Sequence, residues 1–67
     1  MKKQILSDLI NNAKSYELDG IEFTQEDVEY VERLMDNNVP YDRAIQICLE
    51  DIKFIIYYEK YRQNNMQ

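Results

Sequence analysis

A single glycine, Gly20, and a single proline, Pro40, punctuate the whole chain. A sheet needs a tight turn between each pair of strands, and those turns draw on Gly, Pro, Asn and Asp at positions of special φ. Two such breakers divide the chain into three segments and leave little room for the turns of a sheet. Apolar residues recurring at spacings of three and four within each segment then indicate helices. The expected fold is all-α, a small three-helix unit with a long third helix, forming one domain over residues 1–67.

In the first segment Ile5, Leu6, Leu9, Ile10, Ala13 and Tyr16 share one stripe, predicting a helix over about 3–18. Gly20 stands just past it, where a chain leaving a helix often takes φ > 0. The second helix, about 25–36, has the clearest start. Thr24 is a good N-cap, Asp27 stands where a capping box prefers Glu or Gln, and Phe23 can staple onto Val28. Its buried side chains should be Val28, Val31, Leu34 and Met35. Asn37-Asn38-Val39-Pro40 breaks the pattern, since Pro40 disfavours a helical residue before it and suits the first turn of a new helix. The third helix, about 40–62, carries Ala44, Ile45, Cys48, Leu49, Ile52, Ile55 and Ile56 on one stripe and Ile47, Phe54, Tyr58 and Tyr61 on another. At 1.5 Å per residue it is roughly 34 Å long, against ~18 Å for the second helix. Something else must cover its remainder. Residues 63–67 read as a polar, frayed tail.

The chain has 67 residues, 45% of them hydrophobic and 31% charged, too apolar for a disordered tail. A core this small is near marginal stability without a disulfide or metal, so a partner chain is expected. Thirteen acidic residues against eight basic ones give a net charge of −5, which opposes direct binding to a phosphate backbone. There is no histidine, and Cys48 is the only thiol. Zinc sites and Ser-His or Cys-His nucleophilic machinery therefore lack their parts, and neither catalysis nor a cofactor is expected. Asp36-Asn37-Asn38 starts like a calcium loop but lacks its glycine and closing glutamate. Asp8 and Asn11-Asn12 interrupt the only apolar stretch near Met1-Lys2-Lys3, and no run spans a membrane. The expected location is the cytoplasm.

The segment with functional content is Ala13-Lys14-Ser15-Tyr16-Glu17-Leu18-Asp19-Gly20. On a continuing helix the i, i+4 spacing of Ser15 and Asp19 would set hydroxyl and carboxylate on one face. A carboxylate there also lies at the negative end of the helix dipole, so an external cation would relieve it. This string resembles the [Ser/Thr]-x-x-x-Glu-[Gly/Asn] inhibition motif of the VbhA-like family, small antitoxins that silence Fic-domain toxins. The resemblance runs from Asn11 to about Lys53, roughly two-thirds of the chain, and includes the motif's place before two further helices. It implies a toxin partner that transfers AMP from ATP to a target hydroxyl. It also implies that Asp19 pairs with the arginine that would otherwise hold the ATP γ-phosphate, that Ser15 adds a polar contact, and that Gly20 lets the chain turn away. The family motif has Glu where this chain has Asp19, one methylene shorter, which matters for a geometry-sensitive charged pair.

Other readings of the same residues stand beside this one. Gly20 needs only to end a helix, and Asp19 suits any solvated turn. The acidic run Glu22, Glu26, Asp27, Glu29, Glu32 and Asp36 reads first as the solvated face of the second helix. Tyr16, Phe54, Tyr57, Tyr58 and Tyr61 either wrap the chain's own core or dock a partner through amphipathic rings, and their clustering at the end of the longest helix favours docking. Cys48 and Met35 read as core filler. Two alternative functions remain open: a non-catalytic three-helix binding module, loosely similar to ubiquitin-associated domains through Val31 to Ala44, and an acidic anti-regulator that imitates DNA.

Overall fold

A computed structural model describes residues 2–65. Helix α1 spans Lys2–Ala13 and runs on into a 3-10 turn at Lys14–Tyr16; α2 spans Gln25–Asp36 and α3 spans Tyr41–Asn65. The described residues contain no strand. The all-α expectation holds, and the bounds of α2 are as expected.

Two of the helix stops are made without glycine. At the end of α2 the Asn38 N–H donates to Met35 O at 3.0 Å and the Val39 N–H to Leu34 O at 3.0 Å, with Asn38 in the left-handed region at φ 68. This is a Schellman motif, in which a left-handed residue folds the chain back so that the next one can pack on the helix it has left. Pro40 follows, and its carbonyl accepts from the Ala44 N–H at 2.8 Å, opening α3. At the start of α2 the Thr24 N–H donates to Asp27 Oδ2 at 2.9 Å, so aspartate completes the capping interaction usually made by a longer acid.

The core lies where the three helices meet and holds Ile5, Leu9 and Ala13 of α1, Leu18 beyond it, Val28 and Val31 of α2, and Ala44, Ile45, Cys48 and Leu49 of α3. Leu34 and Met35, expected inside, are half-buried at its margin. Cys48 is fully buried, its Sγ 3.9 Å from the Asp27 carbonyl oxygen, and burial pushes its thiol pKa up to about 12. It is core filler, as its place on the stripe suggested.

Helix α3 outruns this core. At 25 residues it is about 38 Å long, and the molecule measures 43 × 23 × 19 Å. Every residue from Lys53 to Arg62 is exposed, including Ile55 and Ile56, which the core stripe would have buried. The neighbouring helices are too short to reach them. The helix also passes the expected end near 62: residues 63–65 continue it rather than forming a tail, and residues 66–67 lie outside the described residues.

Candidate functional site

The segment after α1 departs from its expected course. The helix was expected to reach Leu18, yet α-helical bonding stops at Ala13 and the 3-10 turn ends at Tyr16. Glu17 then takes φ 60, ψ 36. Its N–H donates to Lys14 O at 3.2 Å, and the Leu18 N–H donates to Ala13 O at 3.0 Å, a second Schellman motif. A non-glycine residue in this conformation costs roughly 1–2 kcal/mol. Burying a leucine side chain gives back about 1.5–3 kcal/mol, and Leu18 is only 3% exposed. Burial of Leu18 is thus of a size to offset the strain at Glu17, where the helix ends early.

Gly20 is thus not the helix stop. It sits in the following turn, which is closed by the Ile21 N–H donating to Leu18 O at 3.2 Å, and its φ is +82. A Cβ added there would meet nothing within 4 Å, so backbone conformation alone calls for glycine. Asp19 occupies the corner before it and is exposed. Among the described residues its side chain makes no hydrogen bond or ion pair. Ser15, in the 3-10 turn, is also exposed. With the left-handed Glu17 between them, the two do not lie on a common helix face, and the i, i+4 pairing expected from spacing is absent.

The other wall of the site is α3. Lys53 Nζ lies 3.4 Å from Glu17 Oε1, an exposed pair that adds little stability but links the turn to α3. Below it an open groove of about 470 Å³ is lined by Ser15, Tyr16, Glu50, Lys53, Phe54 and Tyr57. Tyr16 is half-buried against the core and faces this groove as well. Phe54, Tyr57, Tyr58 and Tyr61 are 73%, 71%, 56% and 58% exposed. They do not wrap the chain's own core. They stand as a ridge of rings that starts at the groove and runs to the end of α3.

Two long-range polar contacts have no signature in the sequence. The Tyr41 hydroxyl donates to Asp8 Oδ2 across a separation of 33 residues, and the Tyr30 hydroxyl to Asp51 Oδ2 across 21. The Tyr41 bond, followed by one from Gln4, holds the Asp8 carboxyl below its usual range. Tyr41 itself is pushed up to about 12, by burial first and then by Asp8, and Tyr30 to about 12, first by its bond to Asp51. Asp8 and Tyr41 border a second groove of about 330 Å³, lined also by Asn12, Tyr16 and Gln46.

Among the described residues, no three His, Cys, Asp or Glu side chains cluster to hold a metal ion, and no helix is long and apolar enough to cross a membrane. The segment and the outer part of α3 present an exposed carboxylate at the corner of a turn, an exposed hydroxyl and a row of exposed rings. No family model, curated protein or solved structure matches the chain.

Proposed function

We propose that this chain is an antitoxin that binds a Fic-domain toxin and inhibits its AMPylation activity, with Asp19 set against the arginine that holds the ATP γ-phosphate. The observation that carries the reading is Asp19 itself. It is an exposed acid at the corner of a turn anchored on one side by buried Leu18 and shaped on the other by Gly20, within a string that resembles an inhibition motif. A carboxylate and a guanidinium form short, charge-assisted, often bidentate hydrogen bonds. An arginine so engaged is withdrawn from the terminal phosphoryl group it would otherwise orient, so AMP transfer stops without any chemistry by the inhibitor. Ser15 serves as a supporting polar contact, reaching the toxin from the 3-10 turn.

The test is co-expression and reconstitution with a Fic-domain protein, following AMP transfer to target proteins. Asp19→Ala is expected to release AMP transfer while the complex still forms, and Asp19→Glu, which restores the longer acid, to inhibit at least as well as wild type. If Asp19→Ala combined with Ser15→Ala still suppresses transfer fully in a stable complex, the mechanism is wrong.

A second reading, a general helical protein-binding module, is favoured by the exposed rings of α3, which fit many partners. On this reading binding depends on those rings and is indifferent to Asp19.

A further inference from the structure

The rings at the end of α3 lie outside the stretch that resembles the antitoxin family, which ends at about Lys53, and nothing in the core uses them. We infer that Phe54, Tyr57 and Tyr61 dock the same protein that Asp19 engages, and that affinity resides in this ridge while inhibition resides in Asp19. The inference rests on the function proposed above and extends it to the chemistry of the partner's surface.

Three observations lead here. The first is continuity: Ser15 and Tyr16 form one wall of the groove, and Phe54 and Tyr57 form the other. A body that reaches the Ser15 hydroxyl through this groove presses on both rings. The second is area. An aromatic side chain buries about 150–250 Å², so four rings exposed by 56–73% offer on the order of 500 Å² of ring surface. That equals the largest patch a typical monomer exposes, a patch that is often functional, and it falls short of the ~800 Å² per partner of a specific interface. The ridge needs the neighbouring motif segment to complete an interface, and the motif segment needs the ridge.

The third is charge. The chain as a whole carries −5, and at the groove Lys53 is paired with Glu17 beside Glu50, but the exposed stretch of α3 from Phe54 to Arg62 holds Lys60 and Arg62 against the single acid Glu59. Fully buried rings with charges at the rim are the usual anatomy of an energetic interface centre. The complementary surface is an apolar patch bordered by carboxylates. It lies beside the arginine that Asp19 meets, so the partner's contact face combines a basic pocket with an acidic-rimmed apolar step.

The experiment titrates the chain against a purified Fic-domain AMP transferase, reading dissociation constant by calorimetry and AMP transfer in parallel. The triple variant Phe54→Ser, Tyr57→Ser, Tyr61→Ser should bind at least roughly tenfold more weakly, yet block AMP transfer fully once saturating. Asp19→Ala should show the opposite split, with near-normal affinity and lost inhibition. Because the three rings are exposed, the triple variant should keep its helical circular dichroism. The pair Lys60→Glu, Arg62→Glu, which leaves every apolar side chain in place, should also weaken binding and reverse its response to added salt. Wild-type affinity in the triple variant would overturn the inference while leaving the inhibitory role of Asp19 intact. So would a wild-type chain that sediments as a dimer until the rings are removed, since a second copy would then cover the ridge. Failure of the wild-type chain to bind the Fic protein at all would sink both readings together.

Discussion

The Tyr41 hydroxyl donates to the Asp8 carboxylate and so ties the first turn of α3 to the middle of α1. The contact is joined on the other flank of α3 by Tyr30 and Asp51, which link it to α2. In each pair the donor is a phenol whose pKa is raised to about 12.

These phenols set the response to alkali. A group whose folded-state pKa is raised contributes stability that is complete below its unfolded value and is lost as pH climbs through the folded one. Stability should therefore fall between about pH 10 and pH 12. Asp8 works in the other direction. Its lowered pKa gives stability present above 3.8 and lost as pH drops below that value. Tyr41→Phe should cost about 1 kcal/mol at neutral pH and flatten the alkaline limb, as read by urea denaturation at a series of pH values.

The left-handed residue at the end of the first helical segment makes a prediction of opposite sign. Glu17→Gly removes strain at φ 60 at the expense of a looser unfolded chain, and should stabilise by roughly 0.5–1 kcal/mol. Gly20→Ala should destabilise by about 1 kcal/mol or more, since its φ of +82 is costly for any other residue although no atom blocks the added methyl. Denaturant midpoints at constant slope would check both.

Core and ridge should respond differently to truncation. At ~0.05–0.15 kcal/mol per residue the whole chain holds on the order of 3–10 kcal/mol. Leu9→Ala or Leu49→Ala, at fully buried positions, should each cost roughly 2–5 kcal/mol, a large share of that total, and lower the melting temperature strongly. Tyr57→Ser, at a 71% exposed position, should shift stability by no more than about 0.5 kcal/mol. Thermal melts followed by circular dichroism separate the two cases.

Cys48 gives a probe of opening. With its side chain fully buried and its thiol pKa pushed up to about 12, it should not react with a water-soluble aromatic disulfide in the native state. Reaction should proceed only through unfolding, at a rate that rises with urea and is unaffected by substitutions on the ridge.

Much of the fold was legible in the chain. The start of α2 could be read because Thr24 and Asp27 act within one turn, and the break before α3 because Pro40 constrains its neighbour locally. The end of α1 could not be read this way. Tyr16 prolongs the apolar stripe, so periodicity carries the helix towards Leu18; the stop depends on Leu18 joining the core that α2 and α3 help to form, which no local spacing encodes. The candidate site was half legible for the same reason. Asp19 and Gly20 stand out in sequence, but whether Ser15 shares their face depends on the conformation of Glu17. The exposure of Ile55 and Ile56 was equally hidden, since a stripe says which side of a helix is apolar and not how far its neighbours extend. The tyrosine-carboxylate pairs join residues too distant in the chain for any spacing rule to connect.

Because α3 is a single unbroken rod from the interior to its far tip, the molecule has an inside end and an outside end that share one backbone. At the outer end only the rod's own amide ladder resists opening, and amides there should exchange hydrogen with water long before those near Leu49. A body gripping the tip slows that opening and, by mass action, lends its binding energy to the whole chain. The grip would be felt at Ala44 and Cys48, several turns away from anything it touches.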